Sequence, residues 1–270
     1  MGTDTAEELE RRRGSNRRAR ADAAVAAELN GALERDEIEV LFQPQFAAIG
    51  NALVGAEALA RWRHPGLGRI GAGDLFMFAE RAHRVSDLSR HIARIGLSAA
   101  ARWPQHLRLS LNVTPTDLAA PDFADALAAL LAQTGFAPER LTVEITEQSL
   151  VKELESPALQ LKRLGALGIH IALDDFGAGF CNFRYLQRLP LHALKLDRSL
   201  VEGIGESTRD LAVLRGIVAM AQALGLEVVA EGIESEAQRE AIAAEGCSAW
   251  QGFLGAEPMS EREFAALAAG

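Results

Sequence analysis

The sequence is poor in cysteine. Cys181 and Cys247 are the only two in 270 residues, and no CxxC occurs, which excludes a disulfide framework and a cysteine-built zinc cage. A reducing, cytoplasmic compartment is the default for such a chain. The start lacks the apolar core of a secretory signal. Long hydrophobic runs are scarce as well. Leu211 to Ala230 is rich in apolar residues, yet Arg215, Gln222 and Glu227 interrupt it. A buried helix passing through Gly225 into a strand is expected there, and no membrane span. Positive charge is in deficit, with 28 Lys and Arg against 37 Asp and Glu and a net charge of -9. That balance argues against a general nucleic-acid binder and leaves room for a small anion at a local metal or arginine.

What the chain has in quantity is apolar side chain, 49% of all residues, enough for a large core in one big domain or two small ones. Residues 1–20 differ from the rest. Glu7, Glu8 and Glu10 precede Arg11, Arg12, Arg13, Arg17, Arg18 and Arg20. They read as a solvated linker or disordered lead-in, compatible with an upstream regulatory domain; the sharper alternative is a basic arm for nucleic acid or membrane. Residues 21–270 form the folded domain. Ala21–Arg35 is rich in helix formers. Strand-like runs then alternate with helical ones. The strands are Val40–Ile49, Leu53–Ala60, Leu107–Val113, Leu141–Ile145, His170–Leu173, Ala193–Leu196, Glu227–Ala230 and Ala249–Leu254. The helices are Asp74–His83, Ser86–Ala101, Asp122–Thr134, Ser156–Leu164, Thr208–Leu224, Ser235–Glu245 and Ser260–Ala268, each opening on a candidate N-cap. Gly165, Gly168, Gly225 and Gly246 are placed to stop helices.

Eight such strands imply a parallel sheet, closed into a barrel of the TIM-like (β/α)8 type at this length, with an open doubly wound sheet as the alternative. Only Gly50-Asn51-Ala52 separates the first two strands, so they form a hairpin and one barrel strand is antiparallel. The sharpest local feature is Asp174-Asp175 at the end of an apolar run. Two adjacent acids repel unless a counter-charge sits between them, and a divalent cation is an economical one. The ordinary alternative is a helix cap with a solvated neighbour. The other strand ends bring Glu57, Asn112, Glu144 with Glu147, Lys195 with Asp197, Glu231 with Glu234, and Gln251 to the same barrel face. So many acids in one mouth need cations. The six histidines lie elsewhere, and an oxygen-only donor set suits Mg²⁺ or Mn²⁺. The surplus of acids suggests two ions, as in sites that cleave phosphoesters with a metal-activated water. Arg61, four residues past Glu57, is placed to meet phosphate. The GxGxxG of Gly66, Gly68 and Gly71 follows a turn and lacks the strand-to-helix context of a dinucleotide site. Trp62, Trp103 and Trp250 read as core.

These motifs resemble the EAL-domain family of cyclic di-GMP phosphodiesterases, from about Leu29 to about Phe264. The resemblance is carried by Gln43-Pro44, by Glu57-Ala58-Leu59-Ala60-Arg61, by Leu111-Asn112-Val113 and by Glu144-Ile145-Thr146-Glu147. It continues through Asp174-Asp175-Phe176-Gly177, Leu194-Lys195-Leu196-Asp197, Ala230-Glu231-Gly232-Ile233-Glu234 and Gln251-Gly252-Phe253. It implies hydrolysis of cyclic di-GMP to linear pGpG with two Mg²⁺ or Mn²⁺ ions, in a homodimer. Glu57, Asn112, Glu144 and Asp174 would ligate one ion, and Asp174 and Asp175 the other. Glu231 and Lys195 would act on the attacking water. Gln43, Leu59, Arg61 and Gln251 would bind substrate, and Glu147 and Glu234 would brace the loop after Asp175. A non-catalytic cyclic di-GMP receptor is the alternative. Departures from the family pattern are Ala178, Cys181 and Asn182 in that loop, Gln45 in place of an apolar residue, Ser248 and Glu257.

Overall fold

The computed structural model describes residues 24–146, 155–178, 183–204 and 207–270. The expectations for residues 1–20, Glu147, Cys181 and Asn182 therefore lie outside the described residues. The chain forms two compact units, one of residues up to Glu39 with Ala60–Ile92, the other of Val40–Leu59 with Ala93–Gly270. Among the described residues no helix is long and apolar enough to cross a membrane.

The larger unit holds the barrel. Its strands are β1 (Ile38–Ala47), β2 (Leu53–His64), β4 (Arg108–Asn112), β5 (Leu141–Thr146), β6 (His170–Phe176), β7 (Ala193–Leu196), β8 (Glu227–Ala230) and β9 (Ala249–Trp250), where β1 and β2 run on into the smaller unit. The order β1-β9-β8-β7-β6-β5-β4-β2 closes through a β1–β2 pairing. Neighbours from β2 through β9 are parallel, and β1 meets β9 antiparallel. The expected eight-stranded barrel with one reversed strand is present. The hairpin turns on Gly50 and Asn51, both at positive φ (78° and 54°), and Ala47 N–H donates to Ala52 C=O across it (2.8 Å). The parallel strands are buried on both faces: on one, Leu109, Leu111, Val143, Ile145, Ile171, Leu173, Leu194, Leu196 and Val228 are all at most 3% exposed, and on the other Ser110, Glu144, Ala172 and Lys195 are buried as well. Burial on both faces is what a parallel sheet covered by helices requires.

The covering helices of this unit are α4 (Pro115–Ala119), α5 (Phe123–Thr134), α6 (Glu155–Ala166), α7 (Phe183–Arg188), α8 (Arg198–Val201), α9 (Thr208–Ala223), α10 (Glu236–Ala244) and α11 (Glu261–Ala269). The smaller unit contains α1 (residues 24–34), α2 (Ala72–Arg81), and β3 (Gly68–Ile70) paired antiparallel to the far end of β2; α3 (Val85–Ala100) starts there. Here His64 is buried, and its Nδ1 accepts from the N–H groups of Gly66 and Leu67 (3.0 and 3.2 Å), a turn-holding role. The glycines of GxGxxG thus build a short strand and its turn.

Several boundaries move from their expected places. Helix α2 starts after Gly71, so Asp74 lies in its first turn instead of capping it. Ser207, not Thr208, caps α9 by accepting from Asp210 N–H. Ser156 and Gly165 lie inside α6, and the left-handed residue that follows it is Gly168 (φ 88°). β9 is two residues long, because the chain turns at Gly252: a Cβ there would lie 2.1 Å from the Ile233 carbonyl oxygen, so only glycine fits. β6 is longer than expected, running through Asp174 and Asp175 to Phe176.

Candidate active site

That extra length of β6 contains an irregularity. Ala172 pairs Ala193 and Leu173 pairs Leu194, but the next pair is Phe176 with Leu196. Asp174 and Asp175 together oppose the single residue Lys195. Such a bulge re-aims side chains that strict alternation would send to opposite faces. Asp175 takes a left-handed backbone (φ 55°), and its N–H donates to Asp174 Oδ1 (3.0 Å). As a result oxygens of Asp174, Asp175 and Glu231 all lie within 4.8 Å of one another, as do those of Glu57, Glu144 and Asp174.

The ammonium of Lys195, 1% exposed, sits among four carboxylates. Its Nζ is 2.7 Å from Glu144 Oε2, 2.7 Å from Glu231 Oε1, 3.1 Å from Asp174 Oδ1 and 3.4 Å from Glu57 Oε2. Strand register explains the convergence. Asn112 stands opposite Glu144, and Asp174 lies two residues beyond Ala172, the partner of Glu144, so all three share one face. Two amides complete the ring. Asn112 Nδ2 donates to Glu57 Oε1 (2.6 Å), and Gln251 Nε2 donates to Glu57 Oε2 (2.7 Å) and Glu231 Oε1 (2.9 Å). The Gln251 backbone is itself tied to the end of β8, donating to Ala230 C=O and accepting from Ile233 N–H.

The electrostatics follow from burial. Burial favours a neutral Glu57, but the Lys195 ammonium and the N–H groups of Gln251 and Asn112 outweigh it and hold the carboxyl below its usual range. Glu144 goes the other way: burial, with Glu57, Asp174 and Glu231 nearby, lifts it well above the ordinary value despite Lys195. Glu231 is pushed up to about 8, chiefly by burial. Asp175 is raised by burial and by Asp174. Lys195 is desolvated, yet its four anionic neighbours raise it well above normal. One ammonium thus faces four acids with a fifth adjacent, and three of the five are driven toward the neutral form. That surplus of negative charge, carried only by carboxylate and amide oxygens, is what a hard divalent cation fits.

The remaining expected residues make other contacts. Gln43 is buried on β1. Leu59 and Arg61 are half-buried on β2, and Arg61 Nη1 donates to its neighbour's carbonyl, that of Ala60 (2.8 Å). Glu234 pairs with Arg198 of α8 (2.8 Å). Asp197 caps α8 by accepting from Ser199 N–H (3.0 Å). The three tryptophans are buried as expected. One member of the ring was not expected as a site residue: Gln45 Nε2 donates to Gln251 Oε1 (3.0 Å) in a buried contact. Its signal was parity, since Gln43 and Gln45 are two apart on one strand and so share a face.

A family model described as EAL domain matches residues 26–258. The chain is 36% identical over 247 residues to cyclic di-GMP phosphodiesterase RocR of Pseudomonas aeruginosa, a match that covers 90% of this chain and 63% of that protein. Among solved structures it is similar to PaMucR phosphodiesterase in its c-di-GMP complex, with a TM-score of 0.83, 30% identity and coverage of 88% of this chain and 98% of that one. It is also similar to BlrP1 of Klebsiella pneumoniae in a calcium and cyclic di-GMP complex, with a TM-score of 0.73, 26% identity and coverage of 83% and 58%. The chain spans between 29% and 63% of the length of the first curated relatives it matches.

Proposed function

The chain belongs to the EAL domain family, and on that premise we propose that it hydrolyses cyclic di-GMP to linear pGpG with the help of two Mg²⁺ or Mn²⁺ ions. The observation that carries this reading is the buried ring of Glu57, Glu144, Asp174 and Glu231 around Lys195, whose negative charge one ammonium does not balance. Glu57, Asn112, Glu144 and Asp174 are the residues to hold one ion, Asp174 and Asp175 the second. Bound there, such ions neutralise phosphate charge and acidify water.

The chain's own groups do the rest. Glu231, with its carboxyl raised to about 8, is suited to take a proton from the attacking water near neutral pH. Lys195, 2.7 Å away, orients that carboxylate. The water oxygen bonds to phosphorus as the bond from phosphorus to the 3′ oxygen breaks. Gln43, Leu59, Arg61 and Gln251 contact the dinucleotide, and Glu147 and Glu234 brace the loop after Asp175. A cytoplasmic setting, a homodimer and an upstream regulatory domain complete the proposal; light scattering on the purified chain tests the dimer.

The direct test is incubation with cyclic di-GMP and Mg²⁺ or Mn²⁺, with and without chelator, following linear product. Metal-dependent turnover is expected, lost in Glu57→Ala and Asp174→Ala. Full activity in either variant discards the ligand assignment. Tight binding without product identifies a receptor instead of an enzyme.

A further inference from the structure

Gln251 presents both hydrogens of its side-chain amide to carboxylates, Glu57 (2.7 Å) and Glu231 (2.9 Å). Two hydrogens for two carboxyl oxygens is an arrangement the amide reaches in one orientation: nitrogen toward the acids, oxygen away. Rotated by half a turn, it would aim its oxygen at two acids. The distinction between the two orientations is made by whatever its oxygen meets. In this structure it meets Gln45 Nε2 at 3.0 Å, with both side chains buried.

Strand pairing sets up that contact. Phe46 pairs Trp250 and Ala47 pairs Ala249 in the antiparallel β1–β9 ladder, so the next step of the same register puts Gln45 across from Gln251. The intervening pair points to the other face, where the Phe46 and Trp250 rings stack with centroids 5.0 Å apart. Gln45 and Gln251 therefore share the inner face. An apolar residue at position 45 would have no N–H to offer; the glutamine supplies the donor.

We propose that Gln45 is a positioning residue: it fixes the Gln251 amide in the one orientation that holds Glu57 and Glu231 together. The inference rests on the proposed metal-dependent reading, since Glu57 is a candidate ligand there. Partners one step behind metal ligands typically carry roughly 10- to 100-fold in affinity or activity. The test is a double-mutant cycle of Gln45→Met, Gln251→Met and both together. It is read by calorimetric titration with Mn²⁺ and by steady-state kinetics on cyclic di-GMP, with circular dichroism as the check on folding. Gln45→Met is expected to weaken Mn²⁺ binding about tenfold and to lower kcat by a larger factor than it raises KM. In the Gln251→Met background it should add nothing. Losses that multiply in the double variant, or an affinity within about twofold of the unaltered chain, overturn the proposal. If Gln45→Met fails to fold, Gln45→Ala serves the same cycle. Mn²⁺ binding and coupling without turnover defeat the phosphodiesterase reading alone; turnover without coupling defeats the positioning role alone. Absence of Mn²⁺ binding by the unaltered chain defeats both.

Discussion

Replacing Lys195 with methionine removes the one cation from the ring and nearly nothing else, because the methylene stem keeps a similar volume. Four carboxylates then lose contacts of 2.7, 2.7, 3.1 and 3.4 Å to an ammonium that is almost wholly buried. Deleting one partner of a buried ion pair costs about 3–5 kcal/mol. The ring has one escape, which is to bind protons, and Glu144 and Glu231 already lean that way. A carboxyl whose folded pKa lies above its unfolded one contributes stability fully below the unfolded value and loses it as pH rises through the folded value. Without Lys195 those folded values climb further, so the penalty grows with pH between about 4.5 and beyond 8, at up to about 1.4 kcal/mol per pH unit per carboxyl. In chelator, Lys195→Met should be destabilised by about 3 kcal/mol at pH 6 and more at pH 8.5, a fall in Tm of roughly 6–12 °C or more. Added Mn²⁺ should restore more stability to the variant than to the unaltered chain, since no ammonium competes; occupancy at a hundred times Kd is worth about 2.7 kcal/mol. Urea midpoints at the two pH values, with and without Mn²⁺, measure all of this. A variant equally destabilised at both pH values, or indifferent to Mn²⁺, would refute the view of the ring as an anionic surplus held by one lysine.

Other outcomes follow from the same geometry. Glu144→Gln removes a carboxyl that burial has already pushed up, so in chelator it should leave stability unchanged or improve it by about 1–2 kcal/mol while abolishing turnover; loss of stability measured by urea denaturation counts against the surplus. At the other end of β6, His170 is lowered to about 4 by burial, then by Arg108 and His192, so stability is present above pH 6.5 and lost as pH falls toward 4. His170→Asn should flatten that acid limb by on the order of 1 kcal/mol after allowing for solvent screening, and an unchanged urea midpoint profile from pH 7 to 4 rejects it. Glu147→Ala should lower turnover while leaving Mn²⁺ affinity within about twofold, if it braces the loop and not the ions; an unchanged rate rejects the bracing role.

The barrel was legible because its strands carry their own signal. Leu109, Leu111, Val143, Ile145, Ile171 and Leu173 recur at every second residue, which is what a strand face packed in the core writes into a sequence. Gly50-Asn51 announced the hairpin through its left-handed backbone. Features that depend on a second strand were not legible. β3 is three residues with little pattern of its own and exists only against β2. The stop of β9 at Trp250 goes with the close approach of the Ile233 backbone to Gly252, and within residues 249–254 only that glycine hints at it.

The site divides the same way. Side-chain chemistry at the strand ends pointed to the oxygen-bearing side chains that converge around Lys195, and Asp174-Asp175 stood out because two adjacent acids ending an apolar run are costly. What they do there depends on the bulge, which is a relation between β6 and β7: two residues against Lys195, with Asp175 in a left-handed conformation. Without that extra residue, alternation would send one carboxylate inward and one out, and the second acidic cluster with Glu231 would not form. Gln45 makes the complementary case. Its parity with Gln43 put it on the inner face, but its worth depends on which atom of Gln251 it meets, and only the ladder registers of Phe46 with Trp250 and Ala47 with Ala249 decide that. Residue type thus selects the chemistry available to this rim, and pairing between strands selects which atoms use it.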